Sequence, residues 1–249
     1  MGRLIANPFE VFPTGGAPAF DPSDISDYGL DWFANSLSGL YSDGATITTG
    51  TGWPDETGNW DVDNVSGTPT YEAAEVNGQD VVKYDSSTSD RTRDLSTYTF
   101  GNKITIVYAC NPSSSVSQQF LLRLNGGEIY ILKRNDDDIN IKVSNAVTDL
   151  LSGDFASTPA PGSWMNFIIT ADLSSGVGDL QVYINSTTAQ ASDSEPSADG
   201  TIIPAAYFHV PTDASYPDIL LGRFIIYDKI ITSGERTSLM NYLNDLYIP

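Results

Sequence analysis

Residues 219–247 read ILLGRFIIYDKIITSGERTSLMNYLNDLY, and this stretch decides the fold. Its first half, Ile219 to Tyr227, is apolar and β-branched apart from the Gly222-Arg223 step. Such a run spells a strand buried on both faces. Asp228-Lys229 breaks it. Thr232-Ser233-Gly234-Glu235 then sets a hydroxyl three residues before a carboxylate, the spacing of a capping box. Leu239, Leu243 and Leu246 follow at i, i+4 and i+7, one stripe of a short helix. This is the one convincing helix in the sequence, and the rest reads as strand or loop.

Upstream, short strands are separated by turn residues. Strands are predicted at 45–48 and 80–84, with Asn77-Gly78 suited to a tight hairpin turn. Residues 85–94 read as a polar loop. From Lys103 the pattern sharpens: Ile104, Ile106 and Tyr108 alternate with Thr105, Val107 and Ala109. A strand at 120–124 follows, then a hairpin of 128–133 with 139–143 and another of 164–171 with 180–184. Residues 187–199 read as an exposed loop, and 207–210 as a strand leading into Ile219. Strands recur without intervening helices, which predicts an all-β, two-sheet antiparallel sandwich or jelly roll.

Residues 1–30 differ in kind. Pro8, Pro13, Pro18 and Pro22 exclude a helix or a central strand, yet Leu4, Ile5, Phe9, Val11, Phe12 and Phe20 give the segment apolar anchors. The reading is an extended N-terminal arm, 1–30, dispensable for folding and used for association, ahead of a sandwich domain at 31–249. Arg3, Leu4, Phe9 and Phe12 are its expected interface residues.

Composition narrows the partners. Twelve Lys and Arg stand against 32 Asp and Glu, so the chain of 249 residues carries a formal charge of −20. That field repels phosphate backbones and anionic bilayers, so neither nucleic acid nor membrane is an expected partner. One cysteine, Cys110, and one histidine, His209, leave no intramolecular disulfide and no Cys/His zinc site. No cofactor is called for. No secretory leader is legible at the start, which gives the expectation of synthesis in a host cytoplasm without a signal peptide.

Three blocks carry a family likeness: Trp53-Pro54-Asp55-Glu56-Thr57-Gly58-Asn59, then Pro69-Thr70-Tyr71, then Asn77-Gly78-Gln79-Asp80-Val81-Val82-Lys83-Tyr84-Asp85. With Gly222 to Lys229, Glu235-Arg236 and Tyr242-Leu243, they resemble the laminin-G-like (concanavalin A-like) jelly-roll domains of bacterial and phage proteins. The likeness covers about residues 30–247 and departs from the usual pattern at Tyr84-Asp85-Ser86, where a glycine is common. It implies a jelly-roll sandwich and no single activity, because this fold carries lectins, glycosidases, adhesins and virion proteins.

A glycosidase needs two carboxylates across a cleft. The Glu-x-Asp-x-x-Glu strand of the glucanases of this fold is absent, and Glu72 and Glu75 read as exposed. A serine triad would need His209, and no Gly-x-Ser-x-Gly elbow accompanies it. Asp136-Asp137-Asp138 is either a polar hairpin tip or part of a cation site. Trp53 and Trp60 with Asp55 and Asn59 form the best sugar-stacking group in the sequence, although the related domains use that tryptophan for the fold. The expectation is therefore a non-enzymatic virion structural protein, a phage capsid decoration (cement) protein, bound to the major capsid protein or to sister subunits. The alternative is a glycan-binding adhesin or tail-associated lectin whose partners are surface glycans, and the third reading is a glycoside hydrolase.

Overall fold

The computed structural model describes residues 20–49, 53–58, 61–62, 64–88, 90–94, 101–113, 119–124, 129–133, 139–143, 153–154, 162–174, 179–194, 208–210 and 218–249. Its strands, in chain order, are β1 (Tyr28–Phe33), β2 (Asn64–Ser66), β3 (Thr70–Val76), β4 (Gln79–Tyr84), β5 (Arg91–Asp94), β6 (Lys103–Pro112), β7 (Gln119–Leu124), β8 (Ile129–Lys133), β9 (Ile139–Val143), β10 (Gly153–Asp154), β11 (Met165–Asp172), β12 (Asp179–Ile184), β13 (Ala191–Ser194), β14 (Phe208–Val210) and β15 (Ile219–Tyr227). One helix, α1 (Ser233–Tyr247), follows them. They form two antiparallel sheets. The first runs β13-β12-β11-β6-β15-β4-β3, with β1 also paired to β15; the second runs β10-β9-β8-β7-β14-β5-β2.

β15 is the keel of the first sheet. It pairs with β6 along its whole length, from Ile219 opposite Pro112 to Tyr227 opposite Thr105. On its other side the first three residues pair with β4, and Arg223 to Tyr227 pair with β1. A strand flanked on both edges and covered on both faces favours apolar residues, which is why its sequence reads as an apolar run broken only at Gly222-Arg223.

Side-chain alternation divides the interior in two. Ile104, Ile106, Tyr108 and Cys110 of β6 meet Leu122, Ile131 and Ile141 of the second sheet in the core between the sheets. Val107 and Ala109 point the other way, into a second apolar cluster with Leu239, Met240, Leu243 and Tyr247 of α1. Three layers result: helix, first sheet, second sheet. Burial of Cys110 pushes its thiol well above the ordinary range, as expected of a small buried hydrophobe.

The helix is capped as its sequence dictates. Thr232 Oγ1 accepts from Glu235 N at 3.2 Å, and Glu235 Oε2 accepts from Thr232 N at 2.6 Å. The buried stripe is Leu239, Met240, Leu243 and Tyr247, with Leu246 only half-buried, so the helix is turned slightly from the leucine stripe the sequence predicts. Tyr247 stacks on Trp164 at 4.8 Å between ring centroids and supplies the bulk that Leu246 was expected to give.

Several other sequence expectations need correction. Residues 85–94 hold a 3-10 turn at Ser86–Thr88 and strand β5, whose polar RTRD pairs at backbone level with β14 and β2. Part of the expected 187–199 loop is β13, an edge strand paired with β12. Residues 45–48 supply one bridge, Thr46 to Thr70, rather than a strand. The Asn77-Gly78 turn is as predicted: both residues have positive φ, 47° and 76°, and Val76 pairs with Gln79 across it.

The arm boundary at 30 falls inside β1. Ile25 is buried, Phe20 packs edge-on against Tyr242 at 5.9 Å, and Tyr227 donates from its hydroxyl to Pro22 O at 3.1 Å. Residues 20–30 are therefore part of the folded domain, and truncation to residue 27 would strip its outer layer. Arg3, Leu4, Phe9 and Phe12 lie outside the described residues.

Candidate functional site

The site begins with an extra residue. Leu221 pairs with Cys110 and Arg223 with Ala109, so Gly222 is a bulge against β6. Before it, odd-numbered Ile219 and Leu221 face the inter-sheet core. After it, even-numbered Phe224 and Ile226 do. Without the bulge Arg223 would project into that core; with it, Arg223 emerges on the outer face beside α1. Glycine is required there because a Cβ would meet the Tyr247 ring, 2.5 Å from Cζ and 2.7 Å from the hydroxyl.

On that face Asp31 waits on β1. It sits opposite Ile225 while Phe33 sits opposite Arg223, so acid and base are diagonal neighbours across the strand pair. Arg223 Nε donates to Asp31 Oδ1 at 2.9 Å and Oδ2 at 3.1 Å, and Nη2 also bonds Oδ2. Asp31 is fully buried and Arg223 is 4% exposed. Burying either charge alone would cost several kcal/mol, roughly 3–5, so each is tolerated because of the other. Tyr28 also donates its hydroxyl to Asp31. Arg223 Nη1 donates to the Tyr242 hydroxyl at 2.6 Å, and the guanidinium lies 4.3 Å over the Phe33 ring. Desolvation works against the guanidinium charge, yet the bonds to Asp31 hold its pKa above the ordinary arginine value.

The Trp53–Gly58 segment clips onto β1. Asp31 N donates to Asp55 Oδ1 at 2.7 Å, and Glu56 N donates back to Asp31 O at 2.8 Å. Asp55 N in turn donates to Asp61 Oδ1, and Thr57 N to Asp55 Oδ1. Trp53 is wholly buried in the inter-sheet core, 6.1 Å from Trp32, and donates its indole N–H to Phe33 O at 3.0 Å. Neither Trp53 nor Asp55 can meet a ligand. The expected sugar-stacking group is corrected on this point: its tryptophan face is spent on packing, its carboxylate on backbone amides. Asn59 and Trp60 lie outside the described residues, as do Asp136 to Asp138. His209 pairs with Arg93 and Arg123 as part of β14. Glu75 lies exposed on β3 as anticipated.

What the clip does is hold Glu56 at the rim of a cleft of about 420 Å³, lined by Asp21, Ser23, Tyr28, Phe33, Asn35, Ser36, Glu56, Arg223 and Tyr242. Tyr28, Phe33 and Tyr242 are half-buried there, while Asp21 and Glu56 are exposed. Desolvation, then the charge of Asp31, lifts the Glu56 pKa above the ordinary carboxylate value. The Ser23 hydroxyl, then the Ser23 N–H, hold Asp21 below it. Two other hollows, of about 360 and 450 Å³, open near Asn111 and Leu220. The tryptophan in the larger one, Trp164, is 6% exposed and stacked on Tyr247, so it presents no ring face. Among the described residues no cluster of three or more His, Cys, Asp or Glu could hold a metal, and no helix is long and apolar enough to cross a membrane.

Sequence reading missed most of this cleft, although a signal was present. An arginine inside a strand buried on both faces, and an aspartate inside Tyr28-Gly29-Leu30-Asp31-Trp32-Phe33, each require a buried partner. The only economical solution is that they pair.

No family model matches the chain, and no curated protein matches it. Solved structures do. One is the binding domain of botulinum neurotoxin DC in complex with rat synaptotagmin II, at TM-score 0.59 and 11% identity, covering 80% of this chain and 51% of that one. Another is the serotype D ligand-binding domain in complex with N-acetylneuraminic acid, at 0.59 and 12%, covering 84% and 52%. The serotype G binding domain matches at 0.56 and 12%, covering 76% and 48%. The chain spans about half the length of these structures. At such identity the likeness is one of fold: this protein is an antiparallel β-sandwich with a C-terminal helix, built like part of those binding domains.

Proposed function

We propose that this chain is a non-enzymatic binding module whose ligand is a glycan, held in the cleft over the Asp31–Arg223 pair. The observation that carries the reading is the cleft itself. It brings three aromatic side chains, two exposed carboxylates and the polar side chains of Asn35, Ser23 and Ser36 around one concavity, on a rigid sheet and helix. Half-buried aromatic side chains with a few convergent polar groups suit a saccharide, which offers apolar C–H faces and hydroxyl edges. The likeness to binding domains, one of them solved with N-acetylneuraminic acid, supports the same class of ligand. Asp21 spends one carboxylate oxygen on the Ser23 turn, which fits it poorly for attack on a bound sugar.

The test is calorimetric titration of the purified protein with soluble oligosaccharides, beside the variants Tyr242→Ala and Glu56→Gln. Each should weaken binding about tenfold or more, equivalent to about 1.4 kcal/mol. Binding unchanged in both would move the ligand elsewhere. Turnover of a bound glycan that disappears in both Glu56→Gln and Asp21→Asn would replace the module with a hydrolase. A decoration role on a phage capsid is a separate proposal, resting on the family resemblance and on the arm. Co-sedimentation of the protein with undecorated particles tests it, and failure to pellet with them removes it.

A further inference from the structure

The chemistry left open in the cleft says which glycans it takes, and this step rests on the glycan-binding reading above. Arg223 offers no cation to a ligand, because its charge is matched by Asp31 and its Nε, Nη1 and Nη2 all donate within the protein. Glu56, by contrast, accepts no hydrogen bond from any described residue through its carboxylate, and Asp21 uses only Oδ1. Tyr242 accepts from Arg223, so its own hydroxyl proton is available. Around the opening there are thus three carboxylate oxygens that accept and one phenol that donates. Asn35 is committed to Gln79 and to the Asp80 N–H, and Ser36 donates to Phe33 O. The net charge of the lining is set by Asp21 and Glu56, in a chain that carries −20 overall.

We infer that the cleft selects saccharides bearing donors and positive charge, namely hexosamines with a free ammonium, takes neutral hexoses less tightly, and rejects sugars that carry a carboxylate. Hydroxyls and an ammonium bring protons to the three accepting oxygens, and the ammonium adds charge attraction within a partly desolvated opening. A sialic or uronic acid would bring a third carboxylate to a site with two carboxylates and no unmatched cation. The expected ligand is still a glycan, but of opposite charge to the N-acetylneuraminic acid held by the serotype D neurotoxin domain of similar fold.

The test compares four probes by calorimetry: a tetramer of glucosamine, the N-acetylated tetramer, a tetramer of galacturonic acid, and sialyllactose. Wild-type protein should bind the amine form at least about tenfold more tightly than the neutral one, with no binding of either acid. Glu56→Gln should erase the preference for the amine while keeping part of the neutral binding. Glu75→Gln, which removes an exposed acid on β3, should leave the preference intact and so exclude a general effect of the −20 field. The preference should also fall as pH is lowered through the raised Glu56 pKa. Equal binding of amine and neutral forms, or tighter binding of either acid, overturns the selectivity and leaves the glycan reading standing. A Glu75→Gln protein that loses the preference as Glu56→Gln does overturns it as well. Failure of all four probes overturns both.

Discussion

Gly222→Ala tests the bulge on which the site depends. The backbone at Gly222 lies outside the left-handed region, so alanine brings no φ strain, and its whole penalty is one methyl. That methyl would lie 2.5 Å from Tyr247 Cζ and 2.7 Å from its oxygen. The ring cannot swing away, being fully buried and stacked on Trp164. Forcing a methylene into packed space costs about 1–3 kcal/mol. For a chain of this size each kcal/mol lowers Tm by roughly 2–4 °C. Urea unfolding at constant m-value is the assay, repeated in a Tyr247→Ala background. That second change alone should cost about 3–5 kcal/mol. With the ring gone the clash is gone, and Gly→Ala inside a strand should then stabilise by about 0.5–1 kcal/mol. The sign of the glycine substitution should therefore reverse between backgrounds, a coupling of about 1.5–4 kcal/mol from the cost in one and the gain in the other. A cost below about half a kcal/mol in the wild type, or the same cost in both backgrounds, would refute the reasoning.

Leu243 is fully buried between α1 and the first sheet, so Leu243→Ala should destabilise by about 2–5 kcal/mol in the same urea assay. Glu235 is pushed up by burial, but the bonds from Lys229 Nζ and the Thr232 N–H outweigh this and hold its pKa below the ordinary 4.5. A carboxyl lowered by folding stabilises fully above 4.5 and ceases to do so as pH falls through the lower folded value. Acid titration followed by far-UV circular dichroism should therefore show Glu235→Gln narrowing its gap from wild type below about pH 4. A gap independent of pH counts against the cap. Thr232→Ala, which removes the other half of the box, should cost about 0.5–2 kcal/mol in urea unfolding.

What the sequence determined by itself was local. The run from Ile219 to Tyr227 is a keel strand because a strand covered on two faces and two edges must be apolar wherever it has no buried partner for a charge. Thr232 and Glu235 mark a helix start because four amides there need acceptors. Asn77-Gly78 turns a hairpin because both positions tolerate positive φ. The Trp53–Asn59 block was visible as a motif, but its side chains' directions were not. Only the tertiary structure sent Trp53 inward, locked Asp55 onto the Asp31 amide and left Glu56 at the rim. β1 and β5 escaped notice because what holds them lies far along the chain: Asp31 is satisfied by Arg223 192 residues away, and the β5 backbone pairs with β14. Periodicity records which residues are apolar, and a buried charge is permitted only by its partner. The cleft therefore became legible when the bulge at Gly222 turned Arg223 out of the core and onto Asp31, a contact that no local pattern encodes.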